Sequence, residues 1–252
     1  MTALAVDTIA VAAPALDTRP VDTRPVEISP VTSSSALERC AWLARYPVRR
    51  SIGRAYPFGK RLLDVAVALV AIIVVAPLII VVGIAVKLTS RGPMLYRQRR
   101  AGREGRPLNV VKLRTMVRDA DARKSELAAL NMRQPPDFKI VRDPRVTLVG
   151  RVLRAASLDE LPQLFNVLKG DLSLVGPRPT SLMRDQYTRW QTERFEVMPG
   201  LTGLWQIAGR DDPSFDTRGR LDIAYATRRC LRLDIEILLR TIPSVIFARG
   251  AW

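Results

Sequence analysis

Residues 65–86 form an apolar stretch with no charge inside it. As a helix rising 1.5 Å per residue, it reaches about 33 Å, enough to cross a hydrocarbon core. Pro77 lies at its centre, lacks an N–H and clashes with the preceding turn, so the pattern predicts a kink or break there. Arg54, Lys60 and Arg61 precede the stretch, and Lys87, Arg91 and Arg97 follow it. Lys and Arg beside a membrane segment favour the cytoplasmic side, and here both ends carry that signal. Two arrangements satisfy these positions: a helical hairpin that enters one leaflet and returns, and a spanning helix kinked at its proline.

Before the stretch, prolines interrupt every run and Asp-Thr-Arg-Pro occurs twice, at residues 17–20 and 22–25. Residues 1–55 therefore read as a disordered cytoplasmic tail, with room for a helical turn or two over 36–45. Residues 60–90 make the membrane segment and 91–252 a catalytic-sized domain. In that domain, Met94-Leu95-Tyr96 suits a strand and a basic, glycine-punctuated loop follows it. Residues 108–116 mix β-branched residues with Lys112 and Arg114, and 117–130 have helical spacing on a charged surface. Helical patterns recur over 146–174 and 182–195. The final pattern, 221–247, sets Leu231, Leu233, Ile235, Ile237, Leu238 and Ile242 against Arg228, Arg229, Arg232 and Arg240. Such a helix lies in a membrane interface or packs on its own core. Phe247, Arg249 and Trp252 add interfacial anchors.

Charge narrows the partners. With 40 Lys+Arg against 24 Asp+Glu, the net charge is +16, which favours phospholipid headgroups, nucleotides, phosphorylated lipids or nucleic acid. There is no histidine, which excludes Ser-His-Asp chemistry and His-bound metals. Cys40 and Cys230 stand far apart, which argues against a zinc site or disulfide framework and fits a reducing compartment. The apolar run starts too late for a signal peptide. Acid–base or nucleophilic work falls to carboxylates, Lys, Tyr, Ser or Cys.

Asp159 and Glu160 are adjacent acids ahead of an apolar helix. Ser157-x-x-Glu160 matches a capping box, which is a purely structural use of the pair. Pro162 favours Asp159 as the cap instead, since that places the proline at the third helical position, where no bond is lost. A carboxylate beside N–H groups that favour phosphate can be a nucleophile or, with its neighbour, hold Mg²⁺. Arg154, Lys112, Arg114 and Arg178 supply positive charge, and Arg178 sits in the rigid Gly176-Pro177-Arg178-Pro179 loop, where a guanidinium fork suits phosphate.

Six motifs occur in order: Lys112-Leu113-Arg114-Thr115-Met116, Asp143-Pro144-Arg145-Val146-Thr147, Ser157-Leu158-Asp159-Glu160-Leu161-Pro162-Gln163-Leu164, Asn166-Val167-Leu168-Lys169-Gly170-Asp171, Ser173-Leu174-Val175-Gly176-Pro177-Arg178-Pro179 and Pro199-Gly200-Leu201-Thr202-Gly203-Leu204-Trp205-Gln206. From about Lys60 to the C-terminus the chain resembles the bacterial sugar transferases, the monotopic phosphoglycosyl transferases. The resemblance implies a re-entrant helix–break–helix at the cytoplasmic face of the bacterial inner membrane. It also implies a compact, mostly α, α/β catalytic domain with amphipathic helices at the interface.

It further implies transfer of a sugar-1-phosphate from a UDP-sugar to polyprenyl (undecaprenyl) phosphate, with UMP released, to initiate an exopolysaccharide or other surface glycan. In that reaction Asp159 corresponds to the nucleophile and Glu160 to the Mg²⁺ ligand, while Lys112, Arg114, Arg154 and Arg178 correspond to substrate-binding positions. Mg²⁺ and arginines neutralise a diphosphate, and a covalent intermediate divides one hard displacement into two. Two departures are visible. Ala76-Pro77 stands where the family commonly has Ser-Pro, and the first 60 residues suggest a minimal form without further spanning helices. A membrane-tethered binder of nucleic acid or anionic lipid would explain the charge but gives paired acids beside a Gly-Pro-Arg-Pro loop no purpose.

Overall fold

The apolar stretch is the middle of one long helix. The computed structural model describes residues 35–48, 53–132, 138, 140–208 and 214–246. Helix α2 runs over Ala55–Thr89 with Pro77 inside it, so the break expected at Ala76-Pro77 does not interrupt it. Proline costs an apolar helix one backbone bond, a loss that helices in membranes tolerate. On one face of α2, Asp64, Ala68, Gly83 and Val86 are buried. On the other, Leu62, Val70, Ile73, Val74, Ile80, Val81 and Ile84 are all more than half exposed. A continuous apolar face of this length belongs in lipid.

Both ends of α2 are held by the rest of the fold. Arg61 donates to the carbonyls of Val167 and Leu168, each at 2.6 Å. Asp64 Oδ1 accepts from Ser173 Oγ at 3.1 Å and from the Leu174 N–H at 3.0 Å, which satisfies an acid buried in an apolar helix. Past the proline, Val82 and Val86 pack with Met94, Leu113, Val149 and Leu153. The apolar helix and the elements that follow it therefore share a packed interior, with no linker at residue 90. The main core joins Ala68 to Leu164, Val167, Leu174, Leu221, Tyr225, Leu233 and Ile237.

After α2 come two hairpin strands, β1 (Leu95–Ala101) and β2 (Pro107–Leu113), antiparallel with Leu95 opposite Leu113. Helices α3 (Leu148–Ala155) and α4 (Gln163–Lys169) follow. Strands β3 (Ser173–Val175) and β4 (Gly200–Thr202) pair in parallel, then α5 (Leu204–Ala208), α6 (Phe215–Arg228) and α7 (Leu231–Ile246) complete the described fold. The fold is mostly helical with two small sheets, in the α/β class expected.

Where β3 meets β4 the backbones nearly touch. The Gly176 N–H donates to Thr202 O and the Gly200 N–H to Pro177 O, both at 2.9 Å. A Cβ on Gly176 would lie 2.3 Å from Met198 O, and one on Gly200 2.1 Å from Gly176 N. These glycines let the Gly-Pro-Arg-Pro loop lock into the 199–203 turn. Gly176→Ala is expected to cost about 3 kcal/mol in chemical denaturation, as overpacked sites do; unchanged stability would show that the loop yields.

Three expectations need correction. Within the segment read as a tail, residues 35–48 are folded: α1 (Ser35–Glu38) and a 3₁₀ turn, Ala41–Arg45, place Ala36, Cys40, Leu43 and Tyr46 in the main core. Residues 1–34 and 49–52 lie outside the described residues. Over 117–130 there is no continuous helix, only 3₁₀ turns at Ala122–Lys124 and Ala128–Leu130. Its alternating charges offer no apolar face to bury, and short helices need one. Over 182–195, two 3₁₀ segments replace the expected helix, Arg184–Gln186 and Arg189–Glu196. Gln186 and Gln191 side chains accept from the Met183 and Thr188 N–H groups and start each segment separately. In α7, Leu233 and Ile237 are buried in the core while Ile235, Leu239 and Ile242 face outward. The helix thus packs on the protein and keeps an apolar outer face; the anchors at 247–252 lie outside the described residues.

Candidate active site

Asp159 and Glu160 sit on a single 3₁₀ turn, Leu158–Glu160, between α3 and α4. The cap expected of Asp159 is not formed, because α4 begins at Gln163 with Pro162 as its capping residue. Pro162 still loses no intrahelical bond there, so its constraint is met by another register. Ser157 adopts φ 55, a left-handed turn that reverses the chain after α3 and frees both acids from helix-capping.

Local contacts hold this turn against β2. Thr147 Oγ1 caps α3 by accepting the Gly150 N–H at 2.9 Å. A Cβ on Gly150 would lie 2.1 Å from Thr115 O, so the glycine lets α3 close onto the end of β2. Asn166 of α4 accepts the Val111 N–H at 3.0 Å and donates to Asn109 O at 2.8 Å. Helix α4 is thereby registered to the strand that carries Lys112.

Glu160 is the best-neutralised group of the site. Arg178 grips it as a fork, one nitrogen 2.9 Å from Oε2 and the other on Oε1, and Lys112 Nζ lies 2.8 Å from Oε1. Burial pushes the Glu160 carboxyl up, but Arg178 and Lys112 outweigh it and hold the group well below the usual carboxylate range. Asp159 next to it is buried and moves the other way. Burial and the Glu160 charge push its carboxyl up, against smaller opposing effects of Lys112, Arg154 and Arg178. Two adjacent carboxylates with divergent environments have separable chemical roles. Glu160 holds the cations in place, and Asp159 is left as a buried carboxyl without a cation gripping it as Arg178 grips Glu160.

Arg178 is itself fixed from behind. Its carbonyl accepts from Arg194 at 2.6 Å, and Arg194 donates to Tyr187 Oη at 2.6 Å and pairs with buried Asp222 at 2.8 Å. Arg154 Nε donates to Thr115 Oγ1 at 2.9 Å and stays close enough to Asp159 to lower its carboxyl. Lys112 and Arg178 open onto a cavity of about 180 Å³, also lined by Arg100, Gln163, Trp205 and Arg218. Arg218 stacks over the Trp205 ring at 4.2 Å. Burial and the neighbouring Arg178 push the Arg100 guanidinium down to about 10.

Lys112, Arg154, Asp159, Glu160 and Arg178 are thus brought together, and Arg114 is not. Its guanidinium donates to Ser90 O at 2.7 Å and to Ser90 Oγ at 2.9 Å, locking the end of α2 to the end of β2. Lys112 lies inside β2, whereas Arg114 follows the strand's last residue, Leu113, and is free to take another direction. In this structure Arg114 therefore stands apart from the Lys112, Arg154 and Arg178 group, at the junction of α2 and β2. Sequence reasoning passed over Arg100, Trp205, Phe215 and Arg218, although Trp205 lies in one of the quoted motifs and was the available signal.

The carboxylate expected to hold magnesium, Glu160, faces two cations in this structure. Both Glu160 oxygens are taken by Arg178 and Lys112, and no group of three acid or thiol ligands exists among the described residues.

A buried carboxylate amid fixed cations, beside an apolar helix long enough to enter a membrane, suits phosphorylated substrates at a lipid surface. The description of the bacterial sugar transferases matches residues 55–248, and the chain belongs to that family. It is 38% identical over 215 residues to the exopolysaccharide production protein ExoY of Sinorhizobium fredii, covering 81% of this chain and 94% of that one. It is 41% identical over 209 residues to the UDP-glucose:undecaprenyl-phosphate glucose-1-phosphate transferase of Caulobacter vibrioides, covering 79% and 73%. With the undecaprenyl-phosphate galactose phosphotransferase of Salmonella typhimurium it shares 40% over 206 residues, 79% of this chain but 43% of the relative.

Proposed function

We propose that this protein transfers a sugar-1-phosphate from a UDP-sugar to a polyprenyl phosphate such as undecaprenyl phosphate, releasing UMP, as the first step of exopolysaccharide or other surface-glycan assembly. The observation that carries this reading is the divided pair: Asp159 buried with its carboxyl pushed up, Glu160 clamped by Arg178 and Lys112. Relatives named for glucose-1-phosphate and galactose phosphate transfer to undecaprenyl phosphate support it.

In the first step an Asp159 carboxylate oxygen attacks the β-phosphorus, the bond from that phosphorus to the oxygen bridging it to the α-phosphate breaks, and UMP leaves with the electron pair. In the second, an oxygen of the polyprenyl phosphate attacks the same phosphorus and the Asp159 carboxylate departs. Arg178, Lys112 and Arg154 offset the phosphate charge throughout, and their prior fixation avoids reorganisation during transfer. Magnesium belongs to this reading as well: Glu160 would be its protein ligand, and the ion would offset charge on the diphosphate when bound. UMP release from UDP-glucose and UDP-galactose, with undecaprenyl phosphate supplied, tests the function; no release from any UDP-sugar of a wider panel would overturn it.

The same reading places both ends of α2 at the cytoplasmic face of the inner membrane, as a re-entrant segment. Support comes from its basic flanks and from the docking of Asp64 and Val86, either side of Pro77, on one packed unit. In a Cys40→Ser, Cys230→Ser background, cysteines placed at Gly53 and Arg91 are both expected to resist an impermeant thiol reagent in intact cells. Labelling of one alone from the periplasm would establish a spanning helix.

A further inference from the structure

The folded segment before α2 lies outside the region that matches the family, which begins at residue 55. It nevertheless contributes Ala36, Cys40, Leu43 and Tyr46 to the main core, among Leu204, Ala208, Leu221, Tyr225 and Leu233. These four positions are spaced by four, three and three residues, one face of a helical turn sequence. Polar contacts then tie the segment to α5 and α7. Arg39 Nε donates to Ala208 O, the last carbonyl of α5, at 2.7 Å. Arg240 stacks over Trp42 at 4.2 Å, and Tyr46 Oη donates to Glu236 at 2.5 Å.

The segment reaches the active site through α5. That helix is only five residues long, so it has little stability of its own. It nonetheless carries Trp205, which lines the cavity with Lys112 and Arg178 and stacks with Arg218 of α6. An orphan carbonyl at the end of a short helix needs a partner, and Arg39 provides one.

We propose that residues 36–46 are a positioning strap that fixes the α5 wall of the cavity for the nucleotide-sugar donor, with Arg39 as its key positioning residue. Its role in donor binding rests on the function proposed above; its role in ordering α5 does not. Arg39→Ala is therefore expected to raise KM for the UDP-sugar about five-fold, in line with the loss of one charge-assisted hydrogen bond, with kcat within two-fold of the parent. Arg39→Lys, which can still donate, is expected to recover part of the loss. By hydrogen–deuterium exchange without ligand, Arg39→Ala is expected to speed exchange in residues 204–208 and leave β1 and α3 as in the parent. Removal of residues 1–47 is expected to act in the same direction; if that truncation does not fold, the point variants decide.

A folded Arg39→Ala protein with parental KM and parental exchange in α5 would overturn the strap. A loss of melting temperature with KM and α5 exchange unchanged would reduce it to ordinary core packing and equally overturn the proposal. Should the parent release no UMP, the donor reading fails and the exchange measurement still decides whether Arg39 orders α5.

Discussion

Asp159→Asn is expected to abolish turnover, by at least about a thousand-fold, while leaving the protein as stable as the parent or more so. The loss follows from chemistry: an amide cannot attack phosphorus, and removal of a nucleophile is not shared out among its neighbours. The gain in stability follows from the sign of the Asp159 shift. Its carboxyl is pushed up in the fold by burial and by Glu160, so ionising it opposes folding at neutral pH, and that penalty is relieved only as pH falls. Asparagine removes the charge and the penalty together. Active sites commonly trade stability for reactivity in this way. Thermal melts at pH 7 and UMP release, measured on the same preparation, check both halves. An inactive variant that is also strongly destabilised would mean that Asp159 is a structural acid.

Glu160→Gln is expected to lose both activity and stability. Arg178 and Lys112 would remain in place without the charge that neutralises them, and breaking this half-buried cluster by removing one partner is expected to cost about 2 kcal/mol, less than a fully buried pair. Burial pushes Glu160 up but the two cations hold it below its ordinary value, so its ionised form favours folding. That contribution is fully present above about pH 4.5, the ordinary value, and is lost as pH falls through the depressed one. The stability gap between parent and Glu160→Gln is therefore expected to be constant from pH 7 to pH 5 and to narrow below. In kinetics, kcat/KM is expected to fall about a hundred-fold, as when a catalytic electrostatic partner is removed. A gap that widened on acidification would contradict the assignment of Arg178 and Lys112 as its partners.

Several features of the site were legible because they depend on short-range rules. A proline at 162 limits where α4 can begin, two prolines stiffen the loop that carries Arg178, and an uncharged run of 22 residues announces the membrane helix. What the rules could not give was the choice among local solutions. Ser157 in a left-handed turn, set by α3 closing on Thr115 through Gly150, selected a 3₁₀ turn for Asp159 where spacing suggested a cap. Arg114 and Lys112 look equivalent in the sequence, yet Lys112 lies within β2 and reaches Glu160, while Arg114 lies just past the strand's end at Leu113 and turns to Ser90.

The strap was obscured by the proline-rich composition before it. The spacing of Ala36, Cys40, Leu43 and Tyr46 did carry a helical signal, but its burial needs α5, α6 and α7, all of them distant in sequence. Residues 117–130 show the converse, a helical pattern with no core to dock on. Arg145 instead donates to Ala120 O at 3.0 Å and holds that segment in an irregular path.

The two-step transfer requires Asp159 to become covalently joined to the phosphosugar. The most direct measurement incubates the protein with a UDP-sugar labelled in the sugar and with no lipid acceptor, then quantifies UMP and protein-bound label. The parent is expected to release UMP in proportion to protein and to retain label on the peptide containing Asp159, until added undecaprenyl phosphate discharges it into the lipid. Asp159→Asn is expected to do neither. Turnover to labelled lipid by Asp159→Asn, or turnover by the parent with no label ever held on the protein, would contradict the covalent route and leave direct attack by the lipid phosphate in its place.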